Sequence, residues 1–284
     1  MNTAFFMQKF QDWFTQQWVI LFGKRITPTQ VPWLFGPFGE LGGIGENFLT
    51  QLAEKENLTL KRNLKKKGLL KSIETLHLPK KDLSKLSKSI VDFYEHTSDY
   101  KLEFSIKWSP MFYFFGLLTN RLFTKRINQL NIPIHNIDKS EKISNEIIQL
   151  TDPKTDKVKY TIWLRKLESS GKVIYSGIYT TCKLPTGTTC IKAIFPLPKG
   201  NATVLMKPSV GKNNELILDS SGKTIGDAGF YFLLEDSKGI FWTKFVSTFK
   251  DKLIIKESAE CLSAKQTLKL WNLNVAVLNY KIEK

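Results

Sequence analysis

VKYTIWLR, residues 158–165, decides the fold, because Val158, Tyr160, Ile162 and Leu164 alternate there with Lys159, Thr161, Trp163 and Arg165. Successive strand side chains point to opposite faces, so this segment reads as a strand with one oily and one wetter side. The same period of two holds from residue 143 onward. It predicts strands at 143–150, 158–167, 172–183, 189–196, 201–207, 214–219, 229–235, 240–248, 252–257 and 265–282. Turn dipeptides separate them at Asp152-Pro153, Ser170-Gly171, Thr186-Gly187, Ser221-Gly222 and Lys238-Gly239. Short strands with tight turns imply an antiparallel barrel or curved sheet, since closure removes exposed edges.

Upstream the pattern changes. Tyr100–Trp108 (YKLEFSIKW) is a clean strand, with Tyr100, Leu102, Phe104, Ile106 and Trp108 on its oily side. The remainder reads as helix-rich. Over 1–23, Phe6, Phe10, Trp13, Phe14, Trp18, Leu21 and Phe22 recur at helical spacing, and the preferred reading docks that stripe on the protein's own core. Gly23 is a plausible helix stop, suited to a left-handed turn. Residues 80–95 form one helix with Leu83, Leu86, Ile90 and Phe93 in a stripe, and Met111 to about Lys125 forms another. The glycine- and proline-rich run 31–45 precedes a helix near Glu46. It follows no strand and matches no phosphate-loop spacing, so it reads as a packed turn.

The expected class is therefore α+β: a helix-rich N-terminal part packed on a C-terminal antiparallel β-barrel or curved sheet, lipocalin-like or START-like in general shape. The expected parts are 1–142, which include strand 100–108, and 143–284, together one integrated domain.

Composition narrows the function classes. The 284 residues are 42% hydrophobic and 24% charged, a globular balance. The longest apolar stretch, Met111 to Leu118, is too short to cross a bilayer as a helix. The first residues lack the basic run and small-residue cleavage site of a secretory leader. Three cysteines are a sparse, odd set suited to free thiols, although a hairpin loop at 185–187 would place Cys182 opposite Cys190. The expected location is cytoplasmic, with peripheral contact to membrane.

The net charge of +16 favours anionic partners. Residues 55–88 hold eleven basic and three acidic side chains, among them Lys65, Lys66, Lys67, Lys80, Lys81, Lys85 and Lys88, the expected contact with an anionic surface. Only five basic residues are arginine, and no aromatic interleaves these lysines. Nucleic acid therefore ranks behind membrane.

Catalytic signals are sparse. Glu95, His96 and Asp99 form the densest polar group and are the candidates for acid–base work, against a simple helix-ending role. His77, His96 and His135 lack zinc spacing, so neither metal nor cofactor is expected. The expected function is binding of an apolar or lipid-like small molecule, with Tyr94, Trp108, Trp163, Tyr175 and Tyr231 as ligand-facing candidates. An enzyme built on Glu95, His96 and Asp99 is the alternative.

The segments PWLFGPFG (32–39), FYEHTSDYKLEFSIKW (93–108), QLNIP (129–133), FPLPKGNATVLMKP (195–208) and GDAGFYF (226–232) resemble an uncharacterised bacterial protein family. The resemblance spans roughly residues 32–280. It implies one coherent architecture and carries over no catalytic residue.

Overall fold

A computed structural model describes residues 3–5, 10–40, 48–112, 137–258 and 261–284. Among the described residues fourteen strands run in chain order: β1 Lys24–Ile26, β2 Thr59–Lys61, β3 Lys101–Trp108, β4 Ile137–Thr151, β5 Val158–Leu167, β6 Val173–Lys183, β7 Thr189–Leu197, β8 Gly200–Val210, β9 Leu216–Asp219, β10 Gly229–Glu235, β11 Phe241–Phe245, β12 Phe249–Glu257, β13 Leu262–Leu270 and β14 Leu273–Glu283. Ten of them close a ring in the order β3-β4-β5-β6-β7-β8-β9-β12-β13-β14, with β14 pairing back onto β3.

The closing contact lies on β8, which changes partner along its length. Its first half, Gly200–Leu205, pairs with β10, and its last residues, Lys207–Val210, pair with β9. Strand β10 therefore leaves the ring and carries β11 and β1 as a flap outside the wall. Every pairing along the path is antiparallel, so tight hairpins connect most neighbours.

One candidate strand was in fact two. Residues 265–282 fold as the β13–β14 hairpin, turning at Trp271 and Asn272 with φ of 50° and 67°. No glycine or proline marks that turn, and a left-handed tryptophan is not a turn signal.

Helices are short. They are α1 Phe10–Phe22, α2 Phe48–Lys55, α3 Lys80–Leu83 and α4 Lys88–Glu95. The single helix expected over 80–95 is broken, because Ser87 caps a new one with its Oγ accepting from Ile90 N at 3.3 Å. The helix expected from Met111 lies mostly outside the described residues, as do Phe6 and residues 41–47.

Segment 69–100 plugs one end of the barrel. Leu69, Leu70, Ile73, Leu76, Leu86, Ile90, Phe93 and Tyr94 join the interior core formed by β3, β4, β13 and β14. Gly68 permits this closeness, since a Cβ there would sit 2.1 Å from the Tyr94 carbonyl oxygen.

The outer wall is covered too. Helix α2 packs Phe48 and Leu52 on Ile148, Leu150, Ile162, Leu164 and Ile178. The 31–38 loop lays Trp33 and Leu34 over Cys190, Leu205 and Leu233.

Covering both sides inverts the expected phase of β5. The oily set Ile162 and Leu164 faces outward under α2, while Trp163, Arg165 and Leu167 face the barrel interior. Helix α1 departs from expectation as well. Its stripe splits: Trp13 and Trp18 pack near Leu234 and Phe232, while Phe10, Phe14, Leu21 and Phe22 are exposed. The helix ends at Gly23 because a Cβ would lie 2.3 Å from the Val19 carbonyl and 2.6 Å from that of Thr243. Close approach, not a left-handed turn, selects glycine.

Candidate functional site

Inside the barrel a polar cluster interrupts an oily lining. Strand β5 supplies Trp163 and Arg165, β6 supplies Tyr179, β12 Asp251, β13 Gln266 and β14 Tyr280, all from inward register positions. Arg165 is 6% exposed and Asp251 is 7% exposed.

The Arg165 guanidinium lies 3.8 Å from the Trp163 ring centroid, a stacking geometry that favours the cation. Its Nη2 donates to Tyr179 Oη at 3.2 Å. Across the interior, Gln266 Nε2 donates to Asp251 Oδ2 at 2.8 Å, and Tyr280 Oη donates to Gln266 Oε1 at 3.3 Å. The second Asp251 oxygen, Oδ1, is buried without a hydrogen-bond partner.

Burial dominates the electrostatics. It pushes the Asp251 carboxyl up to about 7, opposed by the Gln266 amide. It also pushes the Tyr280 phenol up to about 12, opposed by the Arg165 cation.

Asn145 joins this cluster to the plug. Its Nδ2 donates to the carbonyls of Thr97 (2.5 Å) and Tyr100 (3.1 Å), and its Oδ1 accepts from Trp163 Nε1. Phe93 packs edge-on against Trp163, and Trp163 edge-on against Tyr179. An aromatic column therefore runs from the plug to the polar cluster.

The five expected ligand-facing residues separate. Trp163 lies inside at the cluster, and Tyr94 is buried in the plug against Phe93. Trp108 packs against the same core at the far end of β3. Tyr175 pairs with Arg165 in register. Tyr231 lies outside the barrel, where its Oη donates to the Asp227 carbonyl at 2.6 Å and fixes the 224–228 loop. Arg165, Tyr179, Asp251, Gln266 and Tyr280 were not singled out from sequence. The signal available was a tryptophan and an arginine two residues apart on one strand face.

Glu95, His96 and Asp99 do not converge. Glu95 Oε1 accepts from Ile73 N at 2.7 Å and Asp99 Oδ1 from Lys66 N at 2.8 Å, so both carboxylates pin the plug's loops. His96 Nδ1 instead lies 2.8 Å from Asp92 Oδ1. The other Asp92 oxygen accepts from Lys284 Nζ and Tyr100 Oη, each at 2.7 Å. Those bonds hold the Asp92 carboxyl down at about 2. Asp92 and Glu95 line an open cleft of about 1010 Å³ between α4 and the ends of β12–β14.

Lys65, Lys66 and Lys67, just before the plug, and Lys80, Lys81, Lys85 and Lys88 on it are all exposed. Cys182 pairs opposite Cys190, and both thiols are free. In the 31–38 loop Lys192 Nζ donates to the carbonyls of Trp33 (2.9 Å) and Phe35 (2.6 Å). Burial lowers that lysine to about 8. Among the described residues no cluster of metal-ligand type occurs, and no helix is long and apolar enough to cross a membrane.

No family model and no solved structure matches the chain. Over 190 residues it is 24% identical to the "Uncharacterized membrane protein YndJ" of Bacillus subtilis. That alignment takes in 66% of this chain and 33% of the relative, so the chain spans about a third of the length of a protein that is itself uncharacterised.

Proposed function

We propose that this chain is a binding protein for a small amphipathic molecule, lipid-like in its apolar part, and that it works beside an anionic membrane. The observation that carries the reading is the interior cluster of Arg165, Tyr179, Asp251, Gln266 and Tyr280 in a barrel wall that is otherwise oily. Buried polar groups are costly unless they are paired or used. A guanidinium over an indole, with two phenols and a carboxyl nearby, suits a compact anionic head such as a carboxylate. The apolar part of the guest would lie along Phe104, Ile106 and Leu278. The name of the Bacillus subtilis relative, a membrane protein, supports a membrane setting.

Side chains from the ten wall strands meet inside, so a guest must displace some of them, and association should be slow. Native mass spectrometry of the purified protein should show a retained mass. Dodecanoate should change the intrinsic tryptophan fluorescence and dodecanol should not, with the response lost in Trp163→Phe. Absence of both the added mass and the fluorescence response would reject the reading.

A further inference from the structure

Helix α1 meets the protein with Val19, Ile20, Trp13 and Trp18 and with a polar strip beside them. Asp12, Thr15 and Gln16 line the small cleft between the helix and Leu197, Pro198 and Gly200. Gln16 is buried, and its Nε2 donates to the Pro198 carbonyl at 2.7 Å. The outward arc is apolar: Phe10 is 74% exposed, Phe14 60%, Leu21 64% and Phe22 62%. Positions 10, 14 and 21 share one side of an α-helix. A helix that docked only for stability would bury one apolar face and keep the other polar, whereas α1 carries a second apolar arc that the protein leaves uncovered.

Cations rim this surface. Lys24 and Arg25 are exposed just beyond the helix end. Lys244 Nζ lies 5.8 Å from the Trp18 ring centroid and donates to the Phe22 carbonyl, and Lys199 Nζ lies 5.6 Å from the Phe5 ring.

We infer that α1 is an interfacial membrane anchor, its phenylalanines and Leu21 entering the acyl boundary while Lys24, Arg25, Lys199 and Lys244 meet anionic headgroups. An apolar centre with a cationic rim complements such a lipid surface. A second copy of this chain would set like-charged rims against each other. The inference deepens the membrane half of the proposed function and does not depend on a guest in the barrel. It also chooses between two surfaces. The lysines at 65–88 lie on or just before the plug, whose His77 lies 3.2 Å from Thr189 at the start of β7, whereas α1 grips Pro198 just past its end. Nine strand residues separate those points by roughly 30 Å, so variants at one surface leave the other intact.

The test is co-sedimentation of the full chain with phosphatidylcholine vesicles, with and without phosphatidylglycerol. The chain should bind the anionic vesicles, more weakly as salt rises. Phe10→Ser/Phe14→Ser/Leu21→Ser should reduce partitioning roughly 100-fold with an unchanged melting temperature. Lys65→Glu/Lys66→Glu/Lys67→Glu should change it severalfold at most. Loss of binding in the lysine variant with retention in the α1 variant would overturn this inference and leave the membrane reading standing. No vesicle binding by the wild-type chain would overturn both. A dimer that the α1 variant abolishes, seen by light scattering without vesicle binding, would assign the face to self-association and overturn the inference.

Discussion

Replacing Asp251 with asparagine should make the protein more stable above neutral pH, and the size of the gain follows from where the carboxyl sits. Asp251 is buried in the barrel interior, with Gln266 as the donor to one oxygen and no hydrogen-bond partner for the other. Burial raises its pKa from 3.8 to about 7, so the folded state favours the neutral acid. The stability associated with that neutral form is fully present below the unfolded value of 3.8 and is lost as pH rises through about 7. Each pH unit across that window is worth ~1.4 kcal/mol, so the loss reaches an upper bound of ~4 kcal/mol by pH 8. Asparagine keeps the shape, accepts from Gln266 as the acid does, and cannot ionise. In urea titrations the variant should match the wild type near pH 4 within ~1 kcal/mol and exceed it by several kcal/mol at pH 8. Taking the difference between the two proteins at each pH cancels the other carboxyl groups. A difference that stays flat from pH 4 to pH 8 would refute the claim that this carboxyl is held neutral by burial.

Three further substitutions probe separate parts of the fold. Asn145→Ala removes the bonds to Thr97, Tyr100 and Trp163. It should cost ~2–4 kcal/mol and speed hydrogen exchange over 93–100 more than over β12–β13. Lys192→Met leaves the Trp33 and Phe35 carbonyls without their donor. It should cost ~1–3 kcal/mol and open 31–38 to limited proteolysis. Because burial lowers the Lys192 pKa from 10.5 to about 8, its ionisation burden is absent above 10.5 and builds as pH falls to 8, so the variant's deficit should be largest above pH 10.5, shrink between 10.5 and 8, and stay level below that. Trp271→Asn combined with Asn272→Gly puts turn-favouring residues where both φ angles are positive. It should raise stability by ~1 kcal/mol in thermal melts, since the Trp271 side chain is largely exposed.

Alternation of side chains was enough to read an antiparallel barrel or curved sheet, because a period of two reports strands directly, while the closure through β3 was not part of that reading. Which phase points inward was not readable by the same route. Strand β5 is covered by α2 on one side and by the plug and opposing strands on the other, so neither phase is wet, and hydropathy carries no sign. Ile162 and Leu164 looked like the barrel core and are buried outside the barrel under α2, whereas Arg165 fell in the wetter phase and lies inside beside Trp163, which was expected to face a ligand. Helix α1 misled for the converse reason. Its aromatic stripe is real, but Gln16 and its neighbours meet the Pro198 turn and leave the phenylalanines outward. In both places the oily face was taken as the inward face, an inference valid only where a single face meets water and the protein is the only apolar phase. A barrel with a covered outer wall breaks the first condition, and a helix that presents its phenylalanines outward marks where the second one ends.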